Sequence, residues 1–471
     1  SSIGNFRFTA SHQTEDLRYG MRVHFTGQDI TNGENGGPIN VDNFTEGLPN
    51  FENRARIPVF SQDAVSFLKG NRLYLDHDYL LNHKANSTPL KLFHEFHYER
   101  KHYDYTQGVL PVQVSIPGQT PVTVIRFGDS YVEGNVKDKT KFNQLYNKAG
   151  VHFDWKGKAD VSVFAEDFRS NLVYNRVIIL PDDIIPSGNS ISTNTLGGSV
   201  STDFGKWKFN GLLSQSIRGD AQTVLKATSS YSFTKQEHLK LHWTSVSKIP
   251  DHTYQLFQSS FIHYNWSNEF KNQLSNTLEA HFLSRWVNLD FKYENTTNFL
   301  YFSDVSEQDF VQLISPLQAA SAVNYVSLKA SKEIKWRKFA LDNTLLWQRV
   351  EQTESVLNVP DLVARNTFYY SSHFFKKALF LQAGVTLNYF SSYYADEYNP
   401  VLGTFFVQNE RKIGDFPLID VFVNAKIRTA RLYFKAEHIN AGMTGLNYFS
   451  SPGQPYRDFV FRFGLEWNFF Q

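Results

Sequence analysis

The stretch from Phe93 to His102 holds the densest set of side chains that could bind a metal or transfer a proton. Successive side chains of a strand point to opposite faces, so His94 and His97 would lie on opposite sides. Glu95, His97 and Glu99 would share a face, but neighbours at i and i+2 are roughly 7 Å apart along a strand. One ion cannot readily bond all three at that spacing. We interpret the stretch as a solvated wall and predict no catalytic residue and no metal site.

Other chemistry is disfavoured by what the sequence lacks. It contains neither a Gly-x-Ser-x-Gly elbow nor a His-Glu-x-x-His pair. The segment Asn32 to Gly37 lacks the acidic ligand pattern of a calcium loop and is interpreted as a loop tip. The absence of cysteine excludes disulfides, Cys-based zinc sites and thiol nucleophiles. Because 47 basic residues balance 46 acidic ones, the chain has no large net positive charge that would attract nucleic acid. We predict a protein that is not an enzyme and has no cofactor.

The composition favours membrane strands over helices. Aromatic residues make up 16% of the chain, 42 of its residues being Phe, whereas only 2 are Met. Charged residues still reach 20%, and the mean hydropathy is −0.39. Aromatic side chains favour strands and the interfacial girdles of membrane barrels. No window approaches 18 consecutive apolar residues, which excludes a helical span. Strands are the remaining way to cross a bilayer, so we predict a β-barrel.

Alternation of apolar and polar residues is strictest near the C-terminus, over Arg457 to Phe470. It is also strong over Leu418 to Arg428 and Ala378 to Tyr389, and weaker over Leu73 to Leu81, Ala159 to Ala165 and Phe339 to Trp347. A barrel with a wet interior has this pattern, with apolar side chains facing lipid. The lumen-facing candidates are Asp420, Lys426, Lys435, Glu437, Arg462 and Glu466. Their mixed signs predict no selectivity for cations or anions.

Clusters of Lys, Arg, Gly and Asp predict tight turns, and longer polar segments predict loops. The turns are placed near Thr14 to Asp16, Lys156 to Lys158, Asp203 to Lys206, Thr234 to Glu237, Ser284 to Val287, Glu333 to Arg337, Phe375 to Lys377 and Arg428 to Arg431. The loops are placed at Ile30 to Gly70, Tyr103 to Lys139, Arg176 to Asn189, Ile249 to Lys271, Asp304 to Gln318 and Ser392 to Phe416. This spacing predicts about 18 to 20 antiparallel strands, with short periplasmic turns and long extracellular loops. A periplasmic aromatic girdle is predicted at Trp155, Trp207, Trp286 and Trp336.

The C-terminal strand also fits the signal by which barrels are handed to their assembly machinery. Arg462, Gly464, Trp467 and Phe469 fill the polar, glycine and alternating aromatic positions of that signal. Gln471 departs from the usual aromatic last residue. Counting gives about 19 strands, whereas single-chain bacterial barrels usually close with an even number. We therefore expect at least one further strand before Ser1.

The first 80 residues carry a family resemblance that extends more loosely over the whole chain. The matching segments are Gly4-Asn5-Phe6-Arg7, His24-Phe25-Thr26-Gly27-Gln28-Asp29, Glu34-Asn35-Gly36-Gly37, Asn53-Arg54-Ala55-Arg56 and Phe67-Leu68-Lys69-Gly70. Together they resemble the putative-porin family of Bacteroidota outer membranes. The resemblance implies an outer-membrane location and a chain that is longer at its N-terminus. It implies location more securely than it implies transport.

These observations predict one domain, residues 1–471, forming a large barrel in the outer membrane of a Gram-negative bacterium. The leading hypothesis is a porin-like channel for passive diffusion of small solutes, with long loops folding in to set the size limit. The alternative is a non-conducting barrel subunit or scaffold of an outer-membrane assembly, insertion or secretion complex. A membrane enzyme and a soluble carbohydrate-binding protein rank third and fourth. Expected partners are outer-membrane lipid and lipopolysaccharide, the barrel assembly machinery, and other outer-membrane or periplasmic proteins.

Overall fold

The computed structural model describes residues 2–51, 53–82, 89–115, 120–155, 158–181, 184–443 and 445–468. Within these ranges a 19-stranded antiparallel sheet is the main element, and each of its strands pairs with the next one along the chain. The predicted strand number and antiparallel arrangement are confirmed. None of the helices in the described ranges is long and apolar enough to cross a membrane.

The first strands are β1 Ser2–Gln13, β2 Tyr19–Glu34, β3 Ala64–Leu80, β4 Leu90–Gln107, β5 Pro111–Val114, β6 Val122–Ile125, β7 Val136–Asp154, β8 Ala159–Val173, β9 Ile178–Ile179, β10 Ile184–Ile185, β11 Gly188–Phe204, β12 Trp207–Gly219, β13 Thr223–Ser232, β14 His238–Lys248, β15 Leu256–Phe257 and β16 Trp266–Ser267. The others are β17 Gln273–Leu283, β18 Asn288–Thr297, β19 Leu300–Asp304, β20 Ile314–Gln318, β21 Val323–Trp336, β22 Phe339–Glu351, β23 Leu362–Phe374, β24 Leu379–Phe390, β25 Tyr393–Tyr394, β26 Glu397–Asn399, β27 Thr404–Phe406, β28 Lys412–Ile413, β29 Leu418–Ile427, β30 Ala430–Glu437, β31 Phe449–Ser451, β32 Gln454–Pro455 and β33 Val460–Trp467. Short helices are α1 Asp42–Thr45, α2 His252–Gln255 and the 3₁₀ turns Pro49–Phe51 and Arg54–Arg56.

Tight connections lie along one edge of the sheet, here called the turn edge. They are residues 14–18, 155–158, 205–206, 233–237, 284–287, 337–338, 375–378 and 428–429, and the connection 81–89 between β3 and β4 also lies at this edge. Most coincide with the predicted turns, although Lys156 and Gly157 lie outside the described residues. The prediction overlooked the connection 81–89, of which 83–88 lie outside the described residues. It placed a turn at Glu333 to Arg337, where β21 in fact continues to Trp336. Gly205 and Arg337 have φ of +63° and +56°, the left-handed geometry that reverses the chain within two residues.

The opposite edge, called the loop edge, carries the connections 35–63, 108–135, 174–187, 220–222, 249–272, 298–322, 352–361, 391–417 and 438–459. All of the loops predicted from sequence lie here, but their bounds differ because the long strands run into the predicted loops. The sequence reading missed 352–361 and 438–459, and also the short turn at 220–222. Several loops contain two-stranded hairpins, such as β5 with β6 and β26 with β27.

The buried apolar residues of the molecule concentrate at the loop edge. One cluster joins Leu110, Phe127, Leu256, Phe257, Phe261, Tyr264, Trp266, Phe302, Ile314, Val401, Leu402 and Phe406 with the ends of several long strands. A second joins Phe44, Ile57, Ala395, Ile413, Phe416, Tyr448 and Phe449. Residues that are far apart in sequence therefore pack together within each cluster. We call the connections 35–63, 108–135, 249–272, 298–322, 391–417 and 438–459 the cap.

The sheet has two edge strands in the described part of the chain. There β1 pairs with β2 and β33 pairs with β30. Both strands run from the loop edge to the turn edge, so they are parallel to each other in direction. Every residue of β1 is exposed, and most of β33 is exposed as well. The strand expected before Ser1 stays a prediction.

Candidate functional site: the inner face and the cap

One face of the sheet touches the cap, and we call it the inner face. Tyr103 Oη donates a hydrogen bond of 2.5 Å to the carbonyl of Pro400, which belongs to the cap. Asp138 accepts bonds of 2.5 and 2.7 Å from the hydroxyls of Ser259 and Ser260. Residues paired directly across two neighbouring strands point to the same face of the sheet. Starting from Tyr103 and Asp138, the strand register therefore identifies the inner-face residues of every other strand. The inner face is therefore rich in polar side chains that meet polar groups of the cap.

Four of the six lumen-facing candidates come together at the C-terminal end of the sheet. Lys435 Nζ lies 3.0 Å from carboxylate oxygens of both Asp420 and Glu437. Arg462 Nε lies 3.0 Å from the other oxygen of Glu437. Opposite charges thus alternate across three strands, where each charge offsets its neighbours.

The other two candidates lie nearer the turn edge. Glu466 is 3.7 Å from Arg431, its cross-strand partner. Lys426 stands opposite Arg431 in the register and is exposed. The register therefore places all six residues on one face, which also carries the cap contacts. Arg457, 3.4 Å from Glu437, belongs to the same cluster and was not predicted, because it lies in a connection rather than a strand.

The histidine-rich stretch divides between two faces. His97 Nε2 is 2.7 Å from Glu95, and Arg72 Nη2 is 3.1 Å from His97 Nδ1 on the inner face. His94 instead contacts His77, with 2.9 Å between ring nitrogens, on the outer face. Among the described residues no group of three His, Asp or Glu side chains has a geometry that could hold a metal ion. On the inner face, Glu95, His97 and Arg72 therefore form hydrogen bonds and ion pairs with one another, as expected for the polar wall of the sheet.

The connection 249–272 is fastened to the inner face at several points. His252 Nε2 lies 2.8 Å from the hydroxyl of Ser170 on β8. Asn399, which is fully buried, donates to the Tyr264 hydroxyl at 2.9 Å and to the Gln312 side chain at 2.8 Å. This amide therefore joins three separate connections by hydrogen bonds. A buried hydrogen-bond network of this kind specifies one arrangement of the chain.

A partly buried ion pair lies in a second part of the cap, where the side chains of Arg126 and Glu397 are 14% and 24% exposed. Arg126 Nη2 is 3.6 Å from Glu397, and its guanidinium lies 4.2 Å from the ring centre of Phe60. Burial raises the pKa of the Glu397 carboxyl, an effect that the nearby Arg126 charge opposes. Burial likewise lowers the pKa of Arg126. Removing either partner would leave the other charge partly buried and uncompensated.

The outer face is apolar where the inner face is polar. Its exposed residues include Phe6, Phe8, Phe461, Phe463 and Leu465 on the two edge strands. Trp155, Trp207, Trp286 and Trp336 all lie at the turn edge with at least 40% of their surface exposed. Arg285 and Arg337 stack beside Trp286 and Trp336, with 4.8 and 5.5 Å between guanidinium and ring centre. This distribution suits a sheet with lipid on its outer face.

The glycine of the proposed assembly signal has a packing reason. Gly464 lies opposite Tyr433, and a Cβ built on it would come within 2.2 Å of the Tyr433 ring. Only glycine leaves room for this ring. Arg462 and Trp467 lie in the same strand, and Phe469 lies outside the described residues.

A family profile described as "Putative porin" matches residues 1–471. The chain belongs to the putative-porin family. This confirms the family suggested by the resemblance. A comparison with curated proteins finds no match to this sequence.

Solved structures show what this family member is similar to in fold. The ferric enterobactin receptor PfeA of Pseudomonas aeruginosa matches with a TM-score of 0.56 at 11% identity, over 98% of this chain and 78% of the receptor. The siderophore receptor PirA of Acinetobacter baumannii gives 0.64 at 10% identity, over 99% and 71%. The copper transporter OprC gives 0.65 at 10% identity, over 99% and 72%. At 10–11% identity these structures show a shared fold, and the putative-porin family supports an outer-membrane barrel.

Sequence reasoning missed a cavity between the inner face and the connection 249–272. It has a volume of about 570 Å³ and is lined by β3, β4, β7, β8, β11, β12 and β13. A pattern in the sequence could have indicated it, because the connection has five aromatic residues within thirteen positions. They are Tyr254, Phe257, Phe261, Tyr264 and Trp266. A solvated loop would not need so many aromatic side chains.

Proposed function

We propose that this family member is a non-enzymatic outer-membrane channel through which small solutes diffuse passively, and that the cap limits their size. The supporting observation is the inner face, whose charges lie in alternating opposite pairs from β2 and β3, at Arg22 and Asp76, to β33. A wall of paired charges offers polar contacts without binding any one ion tightly. Such a wall suits solutes of either charge sign. In this proposal the sheet closes into a barrel around this wall in the bilayer.

The solute does not follow from the structural relatives. Those proteins are siderophore receptors and a copper transporter, but at 10–11% identity they share only the fold with this chain. The described residues also provide no three-residue metal site. We therefore keep small polar solutes as the proposed class.

A second candidate is a non-conducting subunit or scaffold of an outer-membrane assembly, insertion or secretion complex. The packed cap favours it, because Phe261, Tyr264 and Asn399 are fully buried where an open pore would hold water. A filled barrel would leave its loop edge and turn edge for contacts with other proteins.

The two candidates differ in conductance. We expect purified protein in planar lipid bilayers to give stable open steps with nearly equal permeability to cations and anions. If neither the natural protein nor a variant with a loosened cap conducts, and a native pull-down yields stoichiometric partners, the scaffold is the better description. Migration on gels with and without boiling checks that each sample contains a folded barrel.

The proposed setting is the outer membrane of a Gram-negative bacterium. Lipid and lipopolysaccharide would contact the apolar outer face, with the turn edge in the periplasm and the loop edge outside the cell. The β33 strand would present Arg462 and Trp467 to the barrel assembly machinery during biogenesis. Deleting the residues after Arg457 and following insertion in cells tests that role.

A further inference from the structure

The outer face carries an excess of positive charge in one sector, between its apolar side chains and the loop edge. The basic side chains lie on β3, β4, β7 and β8, and they are Lys69, Arg100, Lys137, Lys139, Lys141 and Arg169. From β13 onward, the described strands of the main sheet carry only Lys332, Arg349 and Glu351 as charged residues on this face. Since the whole chain is nearly neutral, the cations are concentrated here, and we call this surface the basic sector.

Some cations of the basic sector already have acidic partners on the same face. These pairs are Lys69 with Asp29 at 3.6 Å, Lys139 with Asp104 at 3.9 Å, and Arg169 with Asp167 at 3.1 Å. Arg100 and Lys141 are exposed and form no ion pair with the residues that the structure describes. The sector therefore keeps uncompensated positive charge at these two side chains.

Arg100 and Lys141 lie close together in the strand register. Arg100 on β4 pairs with Asn143 on β7, and Lys141 lies two residues further along β7, opposite His102. Side chains at such diagonal positions begin roughly 7–8 Å apart, which is within the reach of two long side chains. Like charges at this separation repel each other, and an anion placed between them would be attracted by both. The pair therefore suits a phosphate group, which can accept hydrogen bonds from both side chains at once.

The next outer-face row on the same three strands, toward the turn edge, is apolar. It consists of Leu73, Tyr98 and Leu145, which pair with one another across β3, β4 and β7. Leu73 and Tyr98 expose 37% and 41% of their surface. A molecule that covers both this apolar row and the basic sector must be apolar at one end and anionic at the other. A membrane lipid with a phosphate headgroup has this form, whereas an acidic peptide lacks the apolar end.

We propose that the basic sector binds lipopolysaccharide, with one phosphate between Arg100 and Lys141 and the acyl chains along the apolar row. A guanidinium can bond a phosphate through two parallel N–H groups, and an ammonium adds a point charge. The paired but exposed cations around them suit a headgroup with more than one phosphate. The inference rests on the proposed outer-membrane setting, in which the loop edge and the basic sector lie on the outer side of the bilayer.

Native mass spectrometry of the full chain, released from detergent, tests the proposal by counting bound lipid during a titration. The probe is lipid A with two phosphates, the membrane anchor of lipopolysaccharide, and the comparison is the same lipid without its phosphates. We expect one tightly bound lipid A per chain, with the dephosphorylated lipid at least about tenfold weaker. Arg100→Gln and Lys141→Gln should each weaken lipid A binding by about fivefold and leave the dephosphorylated lipid unaffected.

Arg349→Gln is the matched control, because Arg349 is exposed on the outer face of β22 but lies outside the basic sector. It should leave the affinity unchanged. Unequal migration of boiled and unboiled samples shows that each variant is folded.

The proposal is overturned if the variant with both Arg100→Gln and Lys141→Gln keeps the natural affinity. It is also overturned if dephosphorylated lipid A or phosphatidylglycerol binds as tightly as lipid A, or if polyglutamate or pyrophosphate displaces lipid A at equal concentration. Conductance plays no part in these measurements, so they can fail while the channel proposal stands. Fractionation of the cell envelope tests the outer-membrane setting separately.

Discussion

The connections at the two edges of the sheet differ in how deeply their aromatic residues are buried. At the turn edge, Phe204, Trp286 and Phe375 expose 70% or more of their surface and the chain reverses within a few residues. At the loop edge, Phe261 and Tyr264 are fully buried although they lie in the long connection 249–272. Aromatic residues therefore act as outer-surface groups at one edge and as core at the other. The packing free energy of the connections is concentrated in the cap.

The largest expected effect comes from truncating a cap aromatic. Phe261 is fully buried against Phe127 and Tyr264, with ring centres 5.4 and 6.3 Å away. We expect Phe261→Ala to lower the free energy of opening the cap by about 3–5 kcal/mol, because it removes a buried ring and leaves a hole. Hydrogen exchange should quicken in 249–272 and in the connections that contact it. The long strands should keep their protection.

The matched change at the other edge is Phe204→Ala, since Phe204 is the exposed last residue of β11. It should alter stability by less than about 1 kcal/mol and leave exchange in the cap unchanged. Equal effects of the two truncations would contradict the contrast between the edges. Larger open steps in Phe261→Ala would also indicate that the cap limits the size of the proposed channel.

Much of the sheet could be predicted from sequence, for a physical reason. A strand with lipid on one face and polar contacts on the other must alternate, so the segments ending at Ile427 and Trp467 were recognisable from residue order alone. Exposed turns could be recognised by their charged residues for the same reason. The six charged inner-face candidates followed directly from that alternation.

The cap could not be predicted in this way. Tyr264 meets Gln312 and Asn399 across 48 and 135 residues of sequence, and no local period records such contacts. The cavity likewise depends on His252 reaching Ser170, 82 residues away. Arg457 and Glu437 pair only because a connection folds back over the sheet. Short-range patterns define strands, whereas the candidate site is made by contacts between distant loops.

Acidification should weaken the connection 249–272 before it affects the turn edge. Burial lowers the pKa of His252, an effect that the charges of Asp251 and Asp220 oppose. The folded state therefore binds fewer protons at this group than the unfolded state does, so stability falls as the pH drops below about 6.5. Burial lowers the pKa of His263 in the same direction, again opposed by Asp304. We expect exchange in 249–272 to quicken severalfold between pH 7.5 and 5.5, after correction for the intrinsic rate.

His252→Gln should reduce this pH dependence, because glutamine does not titrate. His238→Gln, at the start of β14 beside the turn edge, should leave it unchanged. If both variants retain the full pH response, the cap is held by groups other than the buried imidazoles.

The smallest expected effect tests the turn edge itself. Trp286 is 70% exposed, and its ring rests beside the Arg285 guanidinium at 4.8 Å. An exposed indole gains little from protein contacts but prefers the region where lipid headgroups meet water. We therefore expect Trp286→Ala to change stability by less than about 0.5 kcal/mol in detergent and by somewhat more in lipid bilayers. Trp336→Ala, at a similarly exposed position on the same edge, should behave alike. If the loss of stability is as large in detergent as in lipid bilayers, these rings stabilise the turns by packing. Their exposure is then not set by the membrane interface.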